Sequence, residues 1–416
     1  MDEDRWPSAA TPRGVFRGHD PCAALQIIRG TAATVYDAAG RSYIDLLSGY
    51  SANNFGHCHP RLVAAAAEAM QEIGHLAGLP HPRRARLERR LAAIHGGQHV
   101  RTWLASTGAR AIEIAWKAAH VRRPGRLVTF DLGFHGRSIA TSAISCTPRL
   151  PLGEFPMGPT IPFPRRRGDD ASFAEALDAA CESLERLPDD TSAILIEPAI
   201  GARGYYFAPD QFFQRIAAVA ARRSFTLISD EVQMGLGRMG GWFGCRTEGW
   251  EPDLMVIGKS LGGGLLPISA VVGRGDLLDA IPAGVESETF AASPAACAVA
   301  LEALDLIEDE GLLDRAEQVG SYFDSRLSDD VNLASLNVGF ERRGAAMVLD
   351  FKAASGGAAD SRRFAEAAVA AGVVVHLSGA QGERVALIPP LTISVGEMTS
   401  AVERLAAAAA ACVSPP

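Results

Sequence analysis

The sequence predicts an α/β fold, with a large domain whose mostly parallel sheet is flanked by helices and a smaller α+β domain. Three observations lead there. Short apolar runs alternate with stretches of helical periodicity from about residue 61 to 340, as expected of a sheet covered on both faces. Residues 33–49 and the stretch beyond about 300 break that alternation, so the second domain is drawn from both chain ends. At 416 residues, 48% of them apolar, the chain is also too long for one simple core.

Taken in order, ATVYDAAGRSYIDLLSG (33–49) reads as a hairpin of two alternating runs around Ala38-Ala39-Gly40. RLVTF (126–130), AILIEP (193–198), FTLISDE (225–231), LMVIGK (254–259) and ISAVVG (268–273) read as buried strands. Helices are expected over 109–120, 172–186 and 209–223. Then come a long helical pattern (294–328), a strand (344–351), a helix (360–371), short strands and an Ala-rich helix end (405–412). The expected division is residues 1–60 as a segment joining the small domain, 61–300 as the large domain and 301–416 as the rest of the small one.

A net charge of −8 argues against a nucleic-acid partner and suits a cationic small molecule. The run Arg165-Arg166-Arg167, followed by Gly168-Asp169-Asp170, reads as a solvated loop. Seven scattered cysteines, with no CxxC pair, are expected as free thiols in a reducing cytoplasm. The start, MDEDRWPSAA, lacks the apolar stretch of a signal peptide, and no apolar run approaches the ~20 residues of a membrane helix.

Chemistry in an open α/β sheet gathers at the C-terminal ends of the strands. Thr107-Gly108-Ala109 opens a helix, where small residues and free backbone N–H groups suit a phosphate. Asp230 ends an apolar strand and needs a cationic partner, such as a pyridinium N–H. Lys259 ends another strand beside the flexible SLGGG turn, placed to reach an aldehyde in its neutral, nucleophilic form. Thr289 is a candidate hydroxyl donor to phosphate. Singly, each has an ordinary reading: a helix cap, a solvent-facing strand end, a surface lysine, a plain threonine. GLGRMG (235–240) matches a dinucleotide fingerprint, but no helical pattern follows it, which argues against a nucleotide cofactor.

In combination the segments resemble class III aminotransferases, the ornithine and acetylornithine type, from about residue 20 to 405. The resemblance rests on YIDLLSGYSANNFGHCHP (43–60), STGARAIEIAWKAA (106–119), FHGRS (134–138) and IEPAIGARG (196–204). It continues through ISDEVQMGLGRMG (228–240), EPDLMVIGKSLGGGLLPISA (251–270) and TFAASPAACAVAL (289–301). It implies pyridoxal 5′-phosphate (PLP) as cofactor and the PLP fold type I. Lys259 would hold the cofactor covalently, Asp230 would pair with its ring nitrogen, and Val232 and Phe134 would sandwich the ring. Gln233 would lie near the phenolic oxygen, and Thr107, Gly108 and Ala109 would receive the phosphate. Thr289 would come from a partner subunit, so a homodimer sharing its active site is implied.

The departures from the family pattern point to the substrate. The family glutamate after EPxxG is Ala202, and the arginine three residues before PPL is Ala386, with Arg384 on the wrong step. Arg110 replaces the glutamate of the phosphate helix, while Arg137 keeps a carboxylate-binding position. A weakened carboxylate clamp suggests an amine on a larger cationic scaffold. The nearest resemblance is to class III enzymes acting at the 6′-amine of gentamicin- and neomycin-type aminoglycosides, in particular their 6′-epimerase branch. Epimerisation of the amine-bearing carbon is the expected reaction, with transamination to a 2-oxoacid as the alternative and cofactor binding without turnover as a remoter one. Epimerisation needs a second acid/base opposite Lys259, and Cys58 is its candidate, against the alternative that it only packs. Tyr50, Arg137 and Tyr205 are candidate substrate contacts, with packing as the other reading of Tyr205. His57, Cys58 and His59 lack a fourth spaced ligand, so no metal is expected.

Overall fold

The computed structural model describes residues 21–146, 157–165, 170–209, 211–351 and 357–413. The first 20 residues and most of the Arg165–Asp170 segment lie outside them. Among the described residues fifteen strands form three sheets. Strands β1 (Ile27–Thr31), β2 (Thr34–Asp37) and β3 (Ser42–Asp45) form an antiparallel sheet around the expected hairpin turn. The seven-stranded sheet contains β4 (Val100–Ala105), β5 (Arg126–Phe130), β6 (Met157–Ile161), β7 (Thr191–Ile196), β8 (Thr226–Asp230), β9 (Leu254–Ile257) and β10 (Ser269–Arg274). The third holds β11 (Val338–Arg343), β12 (Ala346–Phe351), β14 (His376–Ser378) and β15 (Arg384–Leu387). The short β13 (Val373–Val374) runs parallel to β3, so the C-terminal part of the chain completes the N-terminal sheet.

The large sheet has the order β4-β10-β9-β8-β7-β5-β6. Strands β5 to β9 are mutually parallel, and β10 runs antiparallel to both neighbours. Its alternation is visible in the packing. Val128, Ile194, Ile196, Leu227, Met255 and Ile257 join one core, while Leu127, Ala193, Leu195, Ile228, Leu254 and Val256 join another on the opposite face. Both faces are buried, which is why these strands read as continuous apolar runs. Ile112, Ala115 and Ala119 of the helix Gly108–Arg122 cover one face, and Phe212, Phe213 and Ile216 of the helix Phe212–Arg223 cover the other.

Two boundaries differ from expectation. The pattern over 294–328 is two helices, Pro294–Asp309 and Leu312–Leu327, because Gly311 adopts a left-handed φ of 60° between them. The helix expected from 209 begins at Phe212, since Gln211 is left-handed at φ 69° and cannot continue a helical turn. The strand β11 is an addition, pairing with β12 in register from Val338↔Phe351 to Arg343↔Ala346. GLGRMG forms turns, with Leu236 N–H and Gly237 N–H donating to the carbonyls of Trp242 and Gly241, and opens no helix over the fingerprint.

Candidate active site

Asp230 closes β8, whose other residues are all buried, and its carboxylate is 4% exposed. One oxygen accepts from the Val232 N–H at 3.1 Å, and the other lies 2.8 Å from His135 Nδ1. An ionised carboxylate only accepts, so Nδ1 carries the proton in this pair. His135 is itself buried, and its Nε2 has no hydrogen-bond partner among the described residues. The neighbouring strand end places Glu197 directly after β7, where it accepts from the N–H groups of Phe134 (2.9 Å) and Gly201 (3.2 Å). Burial pushes its carboxyl well above the usual range.

Lys259 follows β9 after the extended Gly258 and has a left-handed φ of 45°. A lysine in this region is strained, a feature that concentrates at functional sites. Its residue surface is only partly covered, yet the surrounding protein dominates its ionisation. Burial pushes its ammonium down to about 8, Glu197 and Asp230 pull it upward, and the Arg238 guanidinium pulls it down further. The lysine is therefore a neutral nucleophile at mildly basic pH.

The helix Gly108–Arg122 begins against this group. Thr107 caps it by accepting the Arg110 N–H at 3.2 Å, which leaves the first N–H groups, Gly108 and Ala109, without intrahelical partners. A β-carbon built on Gly108 would stand 3.0 Å from Val232 Cγ1, so glycine is what lets the helix end approach Val232. Gln233 is buried, and its Nε2 donates to the Tyr205 hydroxyl at 2.5 Å. Gly201 lies so close that a β-carbon there would collide with Gln233 Oε1.

The expected residues thus separate into groups. Lys259, Asp230, Val232, Gln233, Phe134, Gly108 and Ala109 gather around the ends of β7, β8 and β9. Tyr205 is fully buried in the core, and burial drives its hydroxyl far above the usual phenol range. Its hydroxyl faces Gln233, which is the packing alternative of the sequence reading. Tyr50 is half-buried at φ 57° and meets the His376 ring edge-on at 4.9 Å. Arg137 is exposed, its guanidinium 5.3 Å from the Phe134 ring centre. Cys58 is exposed, has a φ of 54° and has no hydrogen bond among the described residues. Its neighbour His57 lies 2.8 Å from Asp45. Thr289 is exposed beside Phe290 and touches neither Gly108 nor Ala109 of its own chain through any hydrogen bond among the described residues.

Arg110, which departs from the family pattern, pairs with Glu113 at 3.1 Å and with the buried Glu286. Arg384 is 1% exposed and binds Asp350 at 2.6 Å and Glu341 at 3.1 Å. His135 and Glu197 are the site groups that the sequence reading passed over. The signal for Glu197 was present, since it ends an apolar strand as Asp230 does. His135 carried no comparable mark, because its loop position says nothing about burial. A cleft of about 990 Å³ between Phe207, Met239 and Arg342 holds none of these groups. The strand-end cluster is the better candidate, because burial displaces both the Lys259 ammonium and the Glu197 carboxyl from their ordinary ranges at adjacent strand ends.

The donor set fits PLP. A buried carboxylate backed by a histidine suits a pyridinium N–H, a lysine of lowered pKa suits an aldehyde, and the free helix N-terminus suits a phosphate. Fold and site together define a PLP-dependent enzyme of fold type I. The chain belongs to the class III aminotransferase family, whose model, aminotransferase class-III, matches residues 16–409. It is 34% identical over 395 residues to the ornithine aminotransferase of Bordetella pertussis, covering 91% of this chain and 90% of the relative. It is 35% identical over 337 residues to a 5-aminovalerate aminotransferase of Pseudomonas aeruginosa, covering 75% and 74%. Among solved structures, a PLP-bound amine transaminase from an uncultivated Pseudomonas species superposes with a TM-score of 0.85 at 26% identity, over 99% of both chains.

Proposed function

We propose that this enzyme transfers the amino group of a primary amine to a 2-oxoacid, using PLP held by Lys259. The observation that carries this reading is the convergence of Lys259, Asp230, His135 and Glu197 at neighbouring strand ends. The chemistry supplied by PLP when bound is an electron sink for charge developing on the amine-bearing carbon. Asp230 takes the ring N–H, and His135 orients Asp230 through its Nδ1–H. Lys259 holds the cofactor and acts as the general base at the amine-bearing carbon, in keeping with its lowered pKa. Val232 and Phe134 flank the ring, Gln233 adjoins its oxygen, and Gly108 and Ala109 receive the phosphate. Thr289, exposed in the single chain, completes the phosphate site of a second copy, which makes the active unit a homodimer.

Ornithine and 5-aminovalerate, the compounds that name two relatives, both carry a terminal primary amine, and a donor of this kind is favoured here. Epimerisation at an aminoglycoside 6′-carbon, the expectation from sequence, fits less well. The relatives are aminotransferases, and Cys58, its candidate second acid/base, is an exposed thiol without a hydrogen-bonding partner among the described residues. The test is incubation of the holoenzyme in D2O with ornithine, 5-aminovalerate or a gentamicin-type amine, with and without 2-oxoglutarate. Amine loss that requires the oxoacid is the expected result. Deuterium gained with inversion, and no need of oxoacid, would overturn transamination in favour of epimerisation.

A further inference from the structure

Arg110 stands where the family pattern has a glutamate, and its partners account for a cation there. The Glu286 side chain is 1% exposed, and both its oxygens are taken, one by Arg110 and the other by Lys117 at 2.7 Å. The two cations lie seven residues apart on the helix Gly108–Arg122, about two turns along one face. Removing a partner from a buried carboxylate is costly, and an acidic residue in place of Arg110 would set two carboxylates against each other. Residues 110 and 286 are thus a matched pair.

The pair joins three pieces of chain around the start of this helix. Arg110 also donates to Glu113 at 3.1 Å, and Glu113 in turn accepts from the hydroxyl of Ser138, which follows Arg137 and caps the helix Ile139–Ile144. The same loop is pressed onto the helix start, since a β-carbon on Gly136 would stand 2.6 Å from that of Ala109. On the other side, residues 285–290 form neither strand nor helix, and Val285, Ser287, Thr289 and Phe290 are exposed while Glu286 is buried. Glu288 accepts from the Ser106 N–H at 3.2 Å and from the Ser106 hydroxyl, and the Phe290 ring stacks on His75 with centres 4.2 Å apart. In a segment without regular structure, side-chain anchors of this kind set where Thr289 is presented.

We propose that Arg110 is a positioning residue for the cofactor phosphate, acting through Glu286 and Glu113 to fix the Thr289 segment and the Phe134 loop on the start of the phosphate-binding helix. This rests on the reading of Gly108, Ala109 and Thr289 given above. Arg110 does not itself bind the phosphate, because its guanidinium is committed to the two glutamates. Gly108 and Ala109 keep their N–H groups for the phosphate, and Thr289 is held at a fixed place on the surface where a second copy meets it.

The test measures how tightly the full-length enzyme holds PLP and pyridoxal, which lacks the phosphate, through the absorbance of the bound cofactor. Loss of one charge-assisted contact predicts a ~10-fold fall in the ratio of PLP to pyridoxal affinity in R110Q, and a ~100-fold fall in R110E, which also repels Glu286. R110E/E286K should recover most of the R110E loss, because opposite charges face each other again while the new carboxylate stays as near the phosphate. Lys117, 40% exposed, has room to turn to solvent in that variant. A ratio unchanged in R110Q, equal losses for PLP and pyridoxal, or a double variant no better than R110E overturns the proposal. T289A separates the underlying reading. If it leaves the ratio unchanged while R110Q lowers it, Thr289 does not serve the phosphate, and Arg110 acts through the helix start and the Phe134 loop. An unaltered enzyme with no preference for PLP over pyridoxal refutes the phosphate site itself and the proposal with it.

Discussion

Replacing Arg384 with methionine separates a structural arginine from a substrate clamp. The side chain is 1% exposed, binds Asp350 and Glu341, and donates to the carbonyls of Gly204 (3.1 Å) and Tyr205 (3.2 Å). It also lies over the Tyr206 ring, 4.1 Å from its centre. It therefore ties β12 and β15 to the loop that positions Tyr205 against Gln233. Removing one partner of a buried ion pair costs about 3–5 kcal/mol, because the other charge is left uncompensated. The unfolding entropy is about 2.1 cal/mol/K per residue, or roughly 0.9 kcal/mol/K for 416 residues unfolding as one unit. A melting temperature lowered by about 3–6 °C follows from these figures. Calorimetry of the holoenzyme reads it, alongside kcat and KM for donor and acceptor. R384M should lose stability and lower kcat with every acceptor alike. An unchanged melting temperature with KM raised for the 2-oxoacid alone would refute the structural role and return Arg384 to the substrate.

Three further outcomes follow from the site. Lys259 is lowered to about 8 from an unfolded value of 10.5, so between these limits the unfolded chain binds more protons; apoenzyme stability should rise with pH across that window, and PLP loading should accelerate through about pH 8, as pH-dependent melting and absorbance would show. In G201A the new β-carbon meets Gln233 Oε1 and must displace it, so activity should fall about 10-fold or more, the equivalent of ~1.4 kcal/mol, while the fold survives by circular dichroism. C58A should retain transaminase activity within about twofold, since surface substitutions of this kind are usually within ±0.5 kcal/mol, whereas loss of activity would return Cys58 to the chemistry.

Much of the architecture was legible because burial on both faces leaves a direct trace. RLVTF and ISAVV read as strands shielded on both sides, and their core positions agree. The break at Gly311 and the strand β11 were harder to see. One glycine inside a periodic stretch is tolerated as often as it terminates a helix, and every residue of β11 is only half-buried, which blunts its alternation.

By itself the sequence determined the family, the sheet that builds the site and the residue types at its strand ends, because those depend on order and spacing along one chain. Only the tertiary structure decided which charges meet. It placed His135 behind Asp230 and Glu197 beside the Phe134 loop, and enclosed Arg384 between two carboxylates. The physical reason is that a charge is settled by its surroundings in space. Residues 95 positions apart, as His135 and Asp230 are, become partners only when separate strand ends bring them into one dry volume where an uncompensated charge is costly.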